Sequence, residues 1–331
     1  MINNKMYFTS LVITFILTVV ITKKLIPVLT RKKIGQTILE IGPNWHKGKE
    51  GTPTMGGIAF LFAAIVSVLL TLPIFNSEID KREILTIINI FVYGLLNCLV
   101  GVIDDISKIK KSKNEGLTPK AKLAFQGILA VLFLISMKLT VGLSTAVEIP
   151  FTDLQIDLGI FYYVISFFLL CGTVNAVNLT DGIDGLASTC VLTVGVFLSF
   201  VGFLKSESNA AVFFGAILIG STLGFLIFNL HPAKIFMGDT GSLFLGSIVV
   251  GTAFIFNNPL IVVLYGFIFM IEAVSDILQV LYFKLTKGKR LFKMAPLHHH
   301  LEKSGYSEMK IVAIFGIINA MFCVIAFLGL E

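Results

Sequence analysis

Two aspartates stand side by side in VIDDISK at 102–108, where a long apolar segment gives way to lysines. Adjacent residues of a helix point about 100° apart, so Asp104 and Asp105 would not share one role. One can face a cavity while the other caps or braces a helix end. On these residues alone, the alternative is an ordinary charged helix end in a basic loop that also contains Lys108 and Lys120.

A second acidic segment, NAVNLTDGIDGLA at 175–187, repeats polar side chains every three residues through Asn178, Asp181 and Asp184. Gly182 and a later glycine interrupt a helix there. The segment contains no Lys or Arg, so its two carboxylates need a cation from elsewhere in the chain or from solution. A divalent metal or lysines from another loop would serve, and the alternative is a capped helix turn.

A third segment, FNLHPAKIFMGDTGS at 228–242, places Asp239 among glycines, with Asn229 and Phe236 shortly before it. Oxygen ligands from separate carboxylates suit Mg²⁺, which usually keeps several waters and shares them with substrate phosphate. One aspartate between glycines is weak support for a metal site. Three carboxylate-bearing segments that meet at one face would be stronger support.

Three consecutive histidines, His298, His299 and His300, follow in APLHHHLEKSGYSE at 295–308. At most two consecutive side chains share a helix face. Such histidines can ligate a metal or donate hydrogen bonds to a phosphate, and the residues alone leave both chemistries open. The alternative is a polar loop without chemistry.

Lysine and glycine also combine near the start of the chain, in KGKEGTPTMGG at 47–57. Lys49 and Thr54 there can form a cationic, flexible contact with phosphate. The segment lacks the Walker A spacing G-x-x-x-x-G-K-[ST], so a P-loop is excluded.

A polar stripe crosses an otherwise apolar segment further on, because Glu272, Ser275, Asp276 and Gln279 lie at helical spacing. Lipid would penalise such a stripe, so it should face the interior of a helix bundle or a wet cavity. We keep two interpretations of Gln279 and its neighbours: structural contacts between helices, or a wall of the substrate site.

Composition decides which kind of molecule carries these residues. The 331 residues are 56% hydrophobic and only 14% charged, with a net charge of +6, whereas soluble domains carry roughly 25% charged residues. The chain is therefore predicted to be an all-α polytopic integral membrane protein, and no segment is long enough for a sizeable soluble domain. The net charge does not indicate binding to nucleic acid. Its four cysteines lie in apolar segments and indicate neither disulfides nor a zinc site.

About ten transmembrane helices are predicted from apolar segments near the roughly 20 residues that cross a bilayer. The segments are 6–22, 54–74, 84–103, 123–141, 161–179, 186–204, 209–230, 241–256, 260–283 and 311–330. Alternating apolar residues predict a small external β-hairpin at 147–158.

The distribution of basic residues predicts the orientation. All but five of the 26 Lys and Arg residues lie in the loops after odd-numbered spans; the five are Lys5, Lys81, Arg82, Lys138 and Lys205. Those loops are predicted to be cytoplasmic and both termini to lie outside. We thus expect one membrane-embedded domain over residues 1–331, with five cytoplasmic loops forming the active site.

Six motifs resemble the polyprenyl-phosphate N-acetylhexosamine-1-phosphate transferases, and together they span nearly the whole chain. They are GTPTMGG, VIDDISK, LTPKAKL, NAVNLTDGIDGLA, FNLHPAKIFMGDTGSL and APLHHHLEKSGYSE. Within that superfamily the chain is most similar to the bacterial phospho-N-acetylmuramoyl-pentapeptide transferases. The deciding feature is PLHHHLE, because relatives that use UDP-N-acetylglucosamine typically have an Arg directly after a His-His pair.

The resemblance implies a phosphotransferase of the bacterial cytoplasmic membrane, with its active site on the cytoplasmic face. Its substrates would be UDP-N-acetylmuramoyl-pentapeptide and undecaprenyl phosphate, its products lipid I and UMP, and its cofactor Mg²⁺. This is the first membrane step of peptidoglycan synthesis. The resemblance also makes a homodimer one expected assembly.

The resemblance further assigns roles at the reacting groups. Asp239 would be the metal ligand, and Asp104 would lie beside the lipid phosphate as a base or a positioning group, with Asp105 next to it. Lys108 and Lys120 would neutralise phosphate charge. We favour an orienting role for Asp104, because the second pKa of a phosphate monoester is near 6 and a base is scarcely needed. A covalent phospho-aspartate remains the alternative.

The nucleotide and diphosphate contacts are also implied by the resemblance. Phe236 would stack on uracil, His298 and His299 would contact the diphosphate, and His300 would lie beside them. The residues expected to shape the nucleotide pocket are Asn178, Asp181, Gly182, Asp184 and Asn229. Competing functions are a UDP-N-acetylglucosamine polyprenyl-phosphate transferase, a transporter of anionic lipids and a structural membrane protein.

Overall fold

The structure is a computed structural model that describes residues 4–32, 34–35, 49–111, 116–152, 154–206 and 208–330. Part of the first predicted cytoplasmic loop, residues 33 and 36–48, lies outside the described residues. The described chain is mostly helical, as the composition predicts. Its helices are α1 Asn4–Arg31, α2 Gly57–Phe75, α3 Lys81–Lys111, α4 Pro119–Thr140, α5 Ile160–Thr180, α6 Leu186–Leu204, α7 Asn209–Asn229, α8 Gly238–Thr252, α9 Val262–Tyr265, α10 Phe267–Leu285, α11 Leu297–Glu302 and α12 Glu308–Gly329.

The multi-pass membrane architecture is confirmed. Within the described residues, nine helices are long and apolar enough to cross a bilayer, and one bent pair of helices raises the count to ten. The short predicted segment 241–256 lies within one of the nine, Gly238–Phe256. The orientation of the termini stays a prediction from the basic residues.

One predicted span is not a straight helix. The segment 260–283 is predicted as one span, and the structure divides it into α9 and α10, with a bend of 89° between them. The break falls at Gly266, and Asn319 of α12 pairs with the backbone on both sides of it. Its Nδ2 donates to the Tyr265 carbonyl at 3.1 Å, and its Oδ1 accepts from the Ile268 N–H at 3.1 Å. A broken backbone is tolerated inside a membrane protein where such partners exist.

The first helix packs through small residues. Ser10, Thr14 and Thr18 of α1 recur every four residues and are fully buried. Thr14 and Thr18 lie against α7, where a Cβ on Gly220 or Gly224 would press on the α1 backbone and on these two threonines. Small residues let two membrane helices approach closely. This contact fixes α1 on the buried helix α7.

Helix α8 lies at the centre of the bundle. It packs against α2, α3 and α5, and every residue from Thr240 to Thr252 is buried. Its first turn contains Asp239. The candidate metal ligand therefore lies in the first turn of a deeply buried helix, surrounded by the ends of its neighbours.

The predicted hairpin is confirmed. Strands β1 Ala146–Glu148 and β2 Gln155–Asp157 pair antiparallel, with Val147 opposite Ile156. Asn257 and Asn258, which follow α8, donate their side-chain amides to the carbonyls of Ala146 and Glu148 at 2.8 Å each. The hairpin thus covers one end of the bundle, while α8 begins at the other.

Candidate active site

Asp105 braces the start of α8. Its carboxylate oxygens accept the N–H groups of Asp239 at 3.2 Å and Thr240 at 2.9 Å, and the Thr240 hydroxyl at 2.7 Å. A carboxylate is favoured there because the free N–H groups of a helix start carry partial positive charge. Gly101 allows this approach, since a Cβ there would collide with the Asp239 carbonyl. Asp105 therefore joins α3 to α8.

Asp104 has different partners. Its Oδ1 accepts the Leu117 N–H at 2.7 Å, and its Oδ2 lies 2.6 Å from Lys108 Nζ. The helix does not end at the two aspartates, because α3 continues to Lys111. Asp104 and Lys108 are thus one turn apart on a continuous helix. The two aspartates thus have different partners, and the expectation that one of them faces a cavity stays a prediction.

Asp239 is the centre of the charged contacts. Its Oδ2 lies 2.7 Å from Lys122 Nζ and 3.1 Å from Lys108 Nζ. Its Oδ1 accepts the amide of Asn178, at the end of α5, at 2.9 Å. Four helices therefore fix this carboxylate. We call Asp104, Asp105, Lys108, Lys122 and Asp239 the helix-end cluster.

Lys122 is a member of this cluster that the sequence did not predict as a site residue. The structure brings Lys122 to Asp239, whereas Lys120 is exposed on the first turn of α4. No sequence signal separates the two lysines, because the phase of α4 is set by packing, and its buried residues include Gln126 and Ala130. Lys122 precedes them at four-residue spacing and lies on their face, and Lys120 does not.

The helix-end cluster can hold a metal ion. One carboxylate oxygen from each of Asp104, Asp105 and Asp239 lies within 4.8 Å of the other two. Oxygen ligands of this kind suit hard divalent cations. Two lysines face three carboxylates here, so one carboxylate has no lysine of its own among the described residues. The residues present therefore fit a small cation.

A second group of charges lies nearby, and we call Lys49, Asp184, His231 and Glu308 the loop cluster. Lys49 Nζ lies 2.7 Å from Asp184 and 2.6 Å from Glu308. Asp184 is also 3.0 Å from His231 Nδ1, and its backbone N–H donates to Glu308 at 3.0 Å. Four separate segments of the chain meet at this point. Lys49 already occupies it as the cation.

Glu308 is a further residue that the analysis missed. It lies in the first turn of α12, 259 positions after Lys49. Position in the motif 295–308 was the only signal in the sequence. Its contacts show that the last helix helps to hold the predicted nucleotide segment.

Asp181 lies between the two clusters and terminates α5. Burial raises its pKa well above the usual range, and the negative charges of Asp239, Asp105 and Asp184 raise it further, while Lys49 opposes them. The surroundings of Asp181 thus have an excess of negative charge. This is a second reason to expect a bound cation at the site.

The segment between α7 and α8 is joined to the Thr54 loop. Phe236 donates its N–H to the Pro53 carbonyl at 2.8 Å and accepts from the Gly56 N–H at 2.8 Å. The side chain of Asn229 holds this segment from within, through the Ile235 carbonyl at 3.0 Å. The Phe236 ring is half-buried. These contacts leave it available as a flat surface beside the loop that carries Thr54.

The three histidines have three different environments. His298 is fully buried and its Nδ1 lies 2.8 Å from Glu272. His299 is partly exposed and pairs with Glu302 at 2.6 Å. His300 accepts the Lys293 N–H at Nδ1, at 3.1 Å. His299 is partly exposed, so it can reach a substrate more easily than the buried His298.

The polar stripe of α10 makes structural contacts at both ends. Gln279 accepts the N–H groups of Leu291 and Phe292 at 3.0 and 2.9 Å. Glu272 holds the start of α11 through His298. The interpretation as contacts between elements is therefore supported, and substrate binding by Gln279 stays a prediction.

These groups define a class of protein. Carboxylates, lysines and histidines at the ends of membrane helices suit a transfer reaction on phosphate, where charge neutralisation and positioning supply most of the catalysis. In agreement, residues 87–257 match the family described as Glycosyl transferase family 4. The protein is thus a membrane-embedded transferase of that group.

A narrower match gives the particular family. Residues 49–61 match phospho-N-acetylmuramoyl-pentapeptide-transferase signature 1. Proteins named phospho-N-acetylmuramoyl-pentapeptide-transferase are 43% identical in Halalkalibacterium halodurans, over 96% of this chain and 95% of the relative, and 41% identical in Listeria monocytogenes, over 97% and 99%. A relative of the same name from Clostridium perfringens is 44% identical over 97% of this chain and 96% of its own length. The chain belongs to the phospho-N-acetylmuramoyl-pentapeptide-transferase family.

Proposed function

We propose that this protein transfers phospho-N-acetylmuramoyl-pentapeptide from its UDP derivative to undecaprenyl phosphate. An oxygen of the lipid phosphate attacks the phosphorus that carries the sugar. The bond from that phosphorus to the bridging oxygen breaks, UMP leaves and lipid I forms. The observation that carries the proposal is the helix-end cluster, in which Lys108 and Lys122 converge on Asp239 beside the end of a membrane helix.

In this mechanism Asp104 orients the lipid phosphate and does not remove a proton from it. A phosphate monoester is mostly dianionic at neutral pH, so its oxygen needs no general base. Lys108, which Asp104 holds at 2.6 Å, neutralises charge on the reacting phosphates. Lys122 does the same from α4. Asp105 keeps the start of α8 in place and stays engaged there.

Mg²⁺ is the cation that we propose for this site, with Asp239 as its ligand and Asp104 beside it. When bound, it would neutralise the developing charge on the diphosphate. Asn178 donates its side-chain amide to Oδ1 of Asp239 and so orients the carboxylate. The other oxygen of Asp239, Oδ2, contacts Lys122 and is the one that we propose for cations.

The nucleotide end of the substrate is proposed to bind between the loop cluster and Phe236. The Phe236 ring offers a stacking surface for uracil. Asp181, Asp184 and Asn229 shape the pocket, and Lys49 and Thr54 close it from the first loop. His299 contacts the diphosphate, with His300 behind it.

The proposed setting is the bacterial cytoplasmic membrane, with the helix-end cluster on the cytoplasmic side. The excess of Lys and Arg in the odd-numbered loops supports this orientation. A homodimer is a further proposal, which rests on the family alone.

Release of UMP by the purified, detergent-solubilised protein tests the proposal. The assay contains UDP-N-acetylmuramoyl-pentapeptide, undecaprenyl phosphate and Mg²⁺, with EDTA and omission of the lipid as controls. We expect UMP only in the complete mixture. UMP release from UDP-N-acetylglucosamine instead, or none from folded protein, would contradict the proposal.

A further inference from the structure

Glu272 is a carboxylate fully buried in α10, a helix of the bent membrane span. Ionisable side chains at such positions are costly and therefore have a specific partner and usually a function. The Glu272 partner is His298, at the start of α11. One oxygen of Glu272 accepts the His298 backbone N–H at 3.1 Å, and the other lies 2.8 Å from Nδ1.

This double contact fixes the His298 ring with Nδ1 towards Glu272. The two carboxylate oxygens are acceptors for the His298 N–H and for Nδ1–H. The remaining ring nitrogen, Nε2, is buried and has no hydrogen-bond partner among the described residues. A buried polar atom without a partner calls for an explanation.

Gly182 lies directly against that ring. A Cβ on Gly182 would collide with His298 Nε2, and no other atoms lie as close to it. Gly182 belongs to the short connection between Asp181 and Asp184, and the loop cluster contacts the same connection at Asp184. The ring therefore packs against this connection, and a glycine there is needed for the close approach.

We propose that Glu272 is a positioning residue for the nucleotide pocket. It acts through His298, which supports the Asp181–Asp184 connection in the conformation that binds the UDP substrate. The inference rests on the proposed function and deepens it, because it gives a role to a membrane-buried residue that touches neither substrate.

The position of Glu272 predicts which kinetic constant it controls. The members of the helix-end cluster lie on α3, α4 and α8, and among the described residues none of their contacts involves Glu272 or His298. Loss of the support should therefore weaken binding of the UDP substrate and leave the chemical step and the lipid site nearly unchanged.

The test measures kcat and both KM values for the full-length protein and three variants. Glu272→Gln keeps the shape but cannot accept from both the His298 N–H and Nδ1–H. We expect the KM for the UDP substrate to rise about tenfold, with kcat and the lipid KM within about threefold. Glu272→Asp keeps the carboxylate, so it should raise the same KM by less.

Asp276→Asn is the matched control, since it exchanges a carboxylate for an amide one turn away on the same helix. Among the described residues, no hydrogen bond or ion pair joins Asp276 to His298 or Gly182. All three constants should stay within about twofold of wild type.

An unchanged KM in folded Glu272→Gln, or a fall in kcat alone, would overturn the inference. If Glu272→Gln gives no folded protein, Glu272→Asp decides by the same KM. A wild-type protein that releases no UMP contradicts the proposed function, and the inference falls with it. An active wild-type protein with an unchanged variant contradicts the inference only.

Discussion

The helix-end cluster and the loop cluster both gather carboxylates around lysine, but they are built from different parts of the chain. Lys108, Lys122 and Asp239 lie on helices that pack against one another in the bundle. Lys49, Asp184 and His231 lie in connections between helices, and the His231 side chain is 43% exposed. Catalytic geometry needs a rigid frame, whereas a binding pocket can be assembled from loops.

The charges of the two clusters differ as well. The helix-end cluster contains three carboxylates and the loop cluster two, and in the loop cluster Lys49 contacts both of them, at 2.7 and 2.6 Å. The position between the carboxylates of the loop cluster is thus taken by a lysine, whereas in the helix-end cluster Lys108 lies 3.9 Å from Asp105. We therefore predict that the helix-end cluster determines metal dependence and kcat, and that the loop cluster determines the KM for the UDP substrate.

The largest effect is expected for Asp239→Asn. The amide cannot provide the charge that holds Lys108, Lys122 and a divalent cation, so kcat should fall about 10³-fold. UMP release at saturating substrates measures this loss. Asp157→Asn, on the hairpin at the far end, is the matched control and should retain full activity. Substantial activity in Asp239→Asn would contradict the assignment.

Lys122 and Lys120 provide an internal comparison within one helix. Lys122→Met removes the charge that lies 2.7 Å from Asp239, so kcat should fall about 10²-fold. Lys120→Met removes an exposed charge and should change kcat less than about twofold. Equal losses in the two variants would show that α4 acts through its total charge and not through one contact.

In the loop cluster, Glu308→Gln should affect affinity. Glu308 pairs with Lys49 and accepts the Asp184 N–H, so its loss loosens the pocket from the α12 side. The KM for the UDP substrate should rise about fivefold with little change in kcat. Glu50→Gln, an exposed neighbour of Lys49, is the control. A fall in kcat without a change in KM would remove the distinction between the clusters.

The smallest effect concerns stability and pH at Asp181, which lies between the clusters. The pKa of Asp181 is raised in the folded protein. As the pH rises above about 4, Asp181 therefore ionises in the unfolded chain before it ionises in the folded protein, and the free energy of unfolding decreases. Asp181→Asn removes this cost. It should raise the unfolding temperature by about 2 °C near neutral pH, and not below pH 4.

Thermal unfolding in detergent with EDTA, from pH 4 to 8, measures the effect. The gain should grow as pH rises through the range between the unfolded and folded pKa values of Asp181. A variant that is less stable than wild type at neutral pH would show that the carboxylate has a stabilising partner.

Much of this architecture could be predicted from the sequence, because lipid imposes simple requirements on composition. The spans, the hairpin and the acidic segments follow from hydropathy and from spacing of two or about four residues. The break at Gly266 could not be predicted in this way. It depends on Asn319, which is distant in sequence and supplies the hydrogen bonds that the broken helix lacks.

The site residues show the same limit. Asp104, Asp239 and Asn178 could be selected because their types and positions are unusual in an apolar chain. Lys122 was missed because the phase of α4 is set by packing, and Glu308 because its partners come from other segments. Partner choice is a property of the folded chain and leaves little trace in any single motif.

Gly101 limits which substitutions the protein can tolerate. It has no functional group, yet a single methyl group there would push α8 away from α3 and move Asp239 with it. Gly57 has the same position with respect to Gly241, on the other side of α8. The distances between the charged groups therefore depend partly on glycines, because only a residue without a side chain lets the helices approach this closely. Substitutions that reduce activity only in part are therefore expected at these glycines as well as at the charged residues.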